Sequence, residues 1–481
     1  MSKYVPSIGM EVHAEMLTKT KMFCRCKVAF GSEPNTKVCP VCLGLPGALP
    51  VPNRHAIELV LKTALALNCK IAMHSLFHRK NYFYPDLAKG YQISQYGETN
   101  PLGFHGWLEI PTSSGKVKKI RICRVHLEED TGKLMHLPGG GSGIDYNRSG
   151  VPLMEIVTDF PPDIESEEEA KEYLYQLRQI LIYIGACDGK MEEGSLRCEP
   201  NISIRPEGST SYGTKTELKN LNSFKSVQSG VAHEISRQTA LIESGQKVQQ
   251  QTLGWDEVKQ ISFVMRIKEL EHDYRYFEDP DLASMEFTEN YIESLRQSLP
   301  ELPLAKFRRY QSDYGLSDYD ARLLTAEKDW AEYFEKTVAL GGDPKQVCNW
   351  MNSDLSKLMN ESGQKIKALK VTSAHLVELL ELIKSNKISG KIGKDVLEES
   401  FHSGNRPSQI IEAKGLLQIS DPEKILVFVQ EIMQNSPDIV EKYRSGQESV
   451  LGYLVGQVMK KTSGKANPEL VQKILREQLN P

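Results

Sequence analysis

The sequence is short of every feature that would send the chain into a membrane or out of the cell. No run approaches the ~18 apolar residues that a spanning helix needs. The opening MSKYVPSIGM has neither the basic, apolar and small-residue order of a secretion signal nor the Arg- and Ser-rich texture of a transit segment. A cytoplasmic protein is expected, with no membrane partner. Nine cysteines are an odd number for a long chain without such a signal, which argues against a disulfide framework and for reduced thiols, buried or metal-bound. Surplus charge is missing too: 59 Lys and Arg against 63 Asp and Glu leave a net charge of -4. Non-specific clinging to polyanions is therefore not expected, although a local basic face is still allowed. Internal repeats and low-complexity tracts are absent. Gly139-Gly-Gly-Ser-Gly143 lacks the spacing of a phosphate-cradling loop, and no Rossmann fingerprint occurs.

What is present is a chain of 481 residues with 40% apolar and 25% charged content, as in soluble globular proteins. It is too long for one core, and about three domains are expected at ~150 residues each. The most informative stretch runs from Gly189 to Val227. Leu196, Cys198, Ile202 and Ile204 alternate with Arg197, Glu199, Asn201, Ser203 and Arg205, the period of a half-buried strand. Turn residues then return the chain into Thr214 to Leu221, whose Lys215, Glu217 and Lys219 share a face. Asn222 and Ser223 are N-cap candidates for a helix with Val227, Val231, Ile235 and Ile242 on one stripe, and its first turn offers N–H groups to an anion. Standing alone, the block reads as a surface hairpin with solvated charges. Its neighbours change that.

Ile8 to Glu15 alternates as well, placing Glu11, His13 and Glu15 on one face, either as ligands or as a solvent-facing edge. Cys24-x-Cys26 and, twelve residues on, Cys39-Pro-Val-Cys42 supply four thiolates that suit a closed, structural zinc site. Pro52 to Asn68 reads as a helix with Ile57, Val60, Leu61, Ala64 and Leu65 inward. His78 to Asp86 crowds Arg79, Lys80 and Tyr82 among further aromatics, a mixture that can stack a base and hold phosphates or can anchor a loop. Ile120 to Asp130 is a strand ending in Glu128, Glu129 and Asp130, and Val151 to Val157 is an apolar strand containing Glu155. A buried carboxylate needs a partner, either a basic side chain or a cation shared with Glu128 or Glu129, and hard oxygen ligands suit magnesium. Ser166 and Glu169 are placed as a capping box for the helix that follows.

From about Asn290 strand alternation gives way to helical stripes such as Leu376, Leu379, Leu380 and Ile383, and later Leu451, Leu454, Val455, Val458 and Met459. A boundary is expected near Leu295 and a hinge over Ser403-Gly-Asn-Arg-Pro-Ser408. The expected division is 1–294, 295–407 and 408–481. Lys460, Lys461 and Lys465 cluster near one helix end, as dipole partners or as a contact for a phosphate backbone.

Several motifs stand in one order: Gly9-Met-Glu-Val-His13, Arg79-Lys-Asn-Tyr-Phe-Tyr-Pro-Asp86, His126-Leu-Glu-Glu-Asp130, Pro152-Leu-Met-Glu-Ile156, Lys190-Met-Glu-Glu-Gly-Ser-Leu-Arg-Cys198, Glu217-Leu-Lys-Asn-Leu-Asn-Ser223 and Asp273-Tyr-Arg-Tyr-Phe277. With them the chain resembles, nearly end to end, the GatB family, the B-type subunits of bacterial aspartyl/glutamyl-tRNA amidotransferase. The resemblance implies an α+β protein. An N-terminal cradle on an antiparallel sheet, related to class II synthetase cores, precedes an all-α domain and a small all-α tail that contacts tRNA. It implies a heterotrimer in which an amidase subunit releases ammonia and a small third protein clamps the pair. Using ATP and magnesium, the GatB member phosphorylates the side-chain carboxylate of Glu on tRNA(Gln) or of Asp on tRNA(Asn), and ammonia displaces the phosphate.

By motif position, His13, Glu129 and Glu155 are the expected magnesium ligands, with Glu11 and Glu128 as neighbours. Lys215 and Glu217 are the expected catalytic charges, and Arg79, Lys80, Tyr82, Arg197 and Asn201 are candidates for the substrate and ATP pocket. Cys24, Cys26, Cys39 and Cys42 match the family's zinc-containing branch, and Lys460, Lys461 and Lys465 are candidates for tRNA. One departure stands out: the family usually continues Pro-Glu-Pro-Asp after the last motif, whereas here it is Glu278-Asp-Pro-Asp281, which frees a backbone angle. The alternative is a non-catalytic zinc-containing RNA-binding protein. A zinc hydrolase is disfavoured, because four thiolates leave no open metal position.

Overall fold

The computed structural model describes residues 4–96, 101–112, 115–137, 139–267, 274–419, 421–462 and 464–480. They divide into two compact units, one reaching to Leu304 and one starting at Ala305. The first is built on a nine-stranded sheet. In chain order its strands are β1 (Tyr4–Glu15), β2 (Lys70–Ile71), β3 (Gly103–Pro111), β4 (Val117–Glu129), β5 (Pro152–Thr158), β6 (Leu196–Pro206), β7 (Thr216–Lys219), β8 (Gln251–Asp256) and β9 (Ile261–Ile267). Their spatial order is β9-β8-β7-β6-β1-β5-β4-β3-β2, so β1 is the central strand. Every pairing is antiparallel except β7 with β8. A parallel pair cannot be joined by a tight turn and needs a crossover, which the helix Phe224–Glu243 supplies.

Alternation fixes the two faces. Ile8, Met10, Val12 and Ala14 of β1, Ile122, Val125 and Leu127 of β4, and Cys198 and Ile202 of β6 are buried in one core. Helices α1 (Arg54–Ala66), α2 (Glu167–Tyr183) and α3 (Phe224–Glu243) pack on the sheet. Each fully buried aliphatic side chain contributes about 1.5–3 kcal/mol there. The caps agree with the sequence in part. Asn53 caps α1 by accepting from the His55 and Ala56 N–H groups, and Ser223 caps α3 by accepting the Ser226 N–H at 3.0 Å. Ser166 accepts the Glu169 N–H at 3.2 Å, but the Glu169 carboxylate takes the Glu165 N–H at 2.9 Å, so only half of the capping box forms.

The second unit is helical. Tyr310, Phe334, Leu376, Leu380 and Val396 belong to one core. Ile425, Val429, Leu454, Val458, Val471 and Leu475 form a separate one uniting helices Pro422–Asn435, Leu451–Lys461 and Pro468–Leu479. The whole is an α+β protein with a mixed, mostly antiparallel sheet followed by an all-helical region. Among the described residues no helix is long and apolar enough to cross a membrane.

Candidate functional site

The polar face of the sheet converges on β1. His13 stands opposite Glu155 of β5 on one side and Arg197 of β6 on the other, and Glu155 stands opposite His126 of β4. The His13 Nε2 lies 3.4 Å from Glu128 and 3.5 Å from Glu155, and His126 Nε2 lies 3.2 Å from Glu155. One ligand atom from each of His13, Glu128 and Glu155 falls within 4.8 Å of the others. Three strands thus bring one nitrogen and two carboxylates to one point, a donor set that suits a hard divalent cation.

The electrostatics follow from crowding charge in a buried place. Burial works against the Glu155 carboxylate, but His126 and His13 outweigh it and hold its pKa well below the usual range. Burial also opposes a charged His13, yet hydrogen bonds to Glu128 and Glu155 hold its pKa well above 6.5. Glu11, on the same face, is pushed up to about 7 by burial and by the charge of Glu155.

Two expected site residues lie elsewhere. Glu129 does not join His13 and Glu155: successive strand residues point to opposite faces, so Glu129 follows Val125 and Leu127 to the core side. There it receives Lys89 Nζ at 2.5 Å and the Ile93 N–H at 3.0 Å. Glu128, expected only as a neighbour, joins them instead. Arg79 is likewise engaged away from the cluster, by Asp279 at 2.9 Å and Asp281 at 2.8 Å, with its guanidinium over the Tyr91 ring. Lys80, on the other side of the short strand His78–Asn81, does face the cluster. Its Nζ sits 4.8 Å from the Tyr274 ring centroid, and although burial disfavours the ammonium, Glu128, Tyr276 and Glu155 raise its pKa. Tyr82 packs edge-on against Tyr274.

Asp273 and Glu271 lie outside the described residues. Phe277 and Glu278 pair with Arg79 and His78, while the Asp279 N–H donates to the Phe77 carbonyl at 2.8 Å. Hydrogen-bonded positions alternate along such a ladder, so the Glu278 N–H points out of it and Glu in place of Pro costs no pairing.

Arg197 donates to Asp130 at 2.6 Å, and Arg148 approaches the same carboxylate at 3.6 Å. Burial and the neighbouring Asp130 push Glu15 up to about 8. The hairpin β6–β7 flanks the cluster. Lys219 bridges Glu199 at 2.7 Å and Glu217 at 3.1 Å, and Thr252 donates to Glu217 at 2.9 Å. Lys215 is exposed and lines a cavity of about 280 Å³ with Glu11, Asn201, Phe160 and Tyr212. The Phe160 and Tyr212 rings are 5.1 Å apart, and the Arg205 guanidinium lies over Tyr212. Behind the hairpin, the fully buried Glu234 accepts from Thr216 at 2.7 Å and Gln238 at 2.8 Å, and Gln238 also donates to the Ile202 carbonyl. His126 as a member of the cluster, and the buried network around Glu234, are the parts that sequence reasoning did not single out. His126 shares the parity of Glu128 along the strand, a signal that was available.

The four cysteines converge as their spacing predicts: Sγ atoms of Cys24, Cys26, Cys39 and Cys42 all lie within 4.8 Å of one another. Cys24 and Cys26 sit in a loop closed by the bridge Thr20–Lys27, and the Leu43 N–H bonds back to the Cys39 carbonyl to turn the second pair inward. A hydrogen bond from Cys24, then the Cys39 N–H and Lys21, outweigh burial and draw the Cys42 thiol down to about 4. In the helical unit, Lys461 pairs with Glu431 and Lys465 donates to the Gly415 carbonyl at 2.7 Å, while Lys460 is exposed. Two of these three lysines are thus already engaged within the chain.

Fold and site together define a class: an α+β protein whose sheet carries a His–Glu–Glu constellation with both carboxylates buried, beside a cavity that Glu11, Asn201 and Lys215 line, with a four-cysteine site and a helical C-terminal region. The particular family follows from comparison. Residues 6–293 match the family model described as GatB/GatE catalytic domain, and residues 332–479 match the GatB domain. Relatives named as the B-type subunit of aspartyl/glutamyl-tRNA(Asn/Gln) amidotransferase are similar over their full length. That of Moorella thermoacetica is 52% identical over 99% of this chain and 100% of its own, and that of Thermodesulfovibrio yellowstonii is 51% identical over 98% of both. That of Brevibacillus brevis is 49% identical over the whole of each chain. The chain belongs to the GatB family, the B-type subunits of the aspartyl/glutamyl-tRNA(Asn/Gln) amidotransferases.

Proposed function

We propose that this chain is the member of its complex that activates and amidates misacylated tRNA. It phosphorylates the side-chain carboxylate of Glu-tRNA(Gln), Asp-tRNA(Asn) or both with ATP, and then passes the acyl group to ammonia from an amidase partner. The observation that carries this reading is the convergence of His13, Glu128 and Glu155 beside the cavity that holds Glu11, Asn201 and Lys215. A carboxylate is a poor acceptor of ammonia until its oxygen becomes a leaving group. Its oxygen attacks the γ-phosphorus, the bond to the β,γ-bridging oxygen breaks, and ADP leaves with the electron pair. Ammonia attacks the acyl carbon, phosphate departs, and nitrogen releases a proton.

His13, Glu128 and Glu155 are the residues that would hold magnesium, which when bound neutralises charge on the transferring phosphoryl group. Lys80, Arg197 and Lys215 add positive charge around the same face, and Glu217 positions Lys219. The aromatic pair Phe160 and Tyr212 offers a surface for a base. The four cysteines would hold zinc in a closed shell whose role is to fix the loop from Cys24 to Cys42.

In this reading residues 1–294 are the catalytic cradle, 295–407 a helical domain and 408–481 a tail for tRNA, with Lys460 the best placed of its lysines. The partners in the heterotrimer are an amidase, which supplies ammonia, and a small third protein, and the complex works in the cytoplasm. The name shared by full-length relatives favours the enzyme over a non-catalytic RNA-binding protein. The test is phosphate release from ATP by the reconstituted complex with Glu-tRNA(Gln) and ammonia. Turnover should require the charged tRNA and fall at least about a hundredfold in Glu155→Ala that still folds and assembles. Normal turnover in that variant would overturn the site.

A further inference from the structure

The most unusual charged group outside the cluster is Lys21. Its side chain is wholly buried, yet among the described residues no carboxylate pairs with it. Its Nζ lies 3.4 Å from the Cys42 Sγ and 3.1 Å from the Tyr146 carbonyl. A buried ammonium is costly unless an opposite charge and hydrogen bonds compensate it, and one carbonyl does not supply that charge. The sulfurs do. A divalent cation held by four thiolates carries two surplus negative charges, and charge-assisted N–H···S contacts are what such a centre accepts.

The chain also builds Lys21 into the same loop as its ligands. The Lys21 N–H donates to the Cys26 carbonyl at 2.9 Å, and Lys21 lines a cavity of about 120 Å³ with Cys24 and Cys42. A second N–H, from the Cys39 backbone, reaches Cys42 at 3.2 Å, so this sulfur collects donors from two sides.

We propose that Lys21 is the buried counter-charge of the four-cysteine metal site, a positioning residue that sets its metal affinity. The inference rests on the zinc reading above. Outer-shell partners of metal ligands typically change affinity by about 10–100-fold when removed. The test titrates zinc into the reduced full-length chain against a chromophoric chelator, comparing wild type with Lys21→Met, Lys21→Gln and Lys21→Arg. Methionine keeps the apolar stem without leaving an unpaired charge. Glutamine keeps a donor without charge, and arginine keeps the charge. Binding should weaken about 10–100-fold in the methionine and glutamine variants and stay within about threefold of wild type in the arginine variant.

Cobalt(II) provides a second readout, since thiolate-to-metal charge-transfer bands report the sulfur shell directly. If Lys21→Met fails to fold, Lys21→Gln carries the comparison. Equal zinc affinity in wild type and in the uncharged variants would overturn the role of Lys21 while leaving the zinc site standing. Failure of wild type to bind zinc or cobalt would overturn both.

Discussion

Glu128 and Glu129 are neighbours on β4 but lie on opposite faces of the sheet, so changing each to its amide separates the proposed magnesium ligation from packing. Glu128→Gln weakens one of three convergent donors and should raise the magnesium concentration needed for half-maximal ATP turnover by about tenfold or more, with little effect on unfolding. Glu129→Gln removes the charge opposite a mostly buried Lys89 and should cost about 3 kcal/mol of stability, read by denaturant unfolding, while leaving the magnesium requirement unchanged. The reverse pattern would exchange the two roles. The signal for this assignment is legible in the sequence: Val125 and Leu127 mark the apolar parity, and Glu129 shares it. Motif position and strand parity disagree here, and parity is the physical constraint.

The thiols also divide by environment. Burial pushes Cys69, Cys187 and Cys348 up to about 12 and raises Cys198 further, so at pH 8 only about one in ten thousand of the first three is thiolate. A thiol reagent at pH 8 should therefore leave these four untouched in the native chain. Zinc should protect Cys24, Cys26, Cys39 and Cys42 as well, leaving Cys123 as the reactive site. Rapid labelling of all nine in the zinc-loaded protein would contradict this.

At the scale of elements, the hairpin β6–β7 depends on a close approach. A Cβ at Gly213 would meet the Ile204 carbonyl oxygen at 2.3 Å, and that contact is backbone, which cannot swing aside. Gly213→Ala should push the loop off β6, enlarge the cavity lined by Lys215 and Asn201, and raise the KM for ATP about tenfold with a smaller change in kcat. An unchanged KM would mean that nucleotide does not use this cavity. Alternation and turn residues make the hairpin readable from sequence, because a period of two is local. The parallel pairing of β7 with β8 is not readable, and neither is the capture of Arg79 by Asp279 some 200 residues away: both are set by tertiary partners that no local pattern encodes.

At the scale of the molecule, the helical region holds two separate cores, so its last segment can be removed without opening the first. A chain ended after residue 416 should keep tRNA-independent properties such as zinc content and ATP binding, while its affinity for tRNA falls about tenfold or more, as a filter-binding titration would read. Undiminished tRNA affinity would place the contact elsewhere.

The position of β1 has a consequence for synthesis. Its partners begin at Pro152 and Leu196, so the central strand of the sheet leaves the ribosome long before either neighbour exists. At about 5–20 residues per second, it waits on the order of ten seconds or more with both edges unpaired. During that interval an apolar strand is an invitation to pair with a neighbouring chain. Glu11 and Glu15, two carboxylates on the face they share with the polar His13, are placed to discourage it. The residues that later gather at the site would thus first act as guards of the nascent strand.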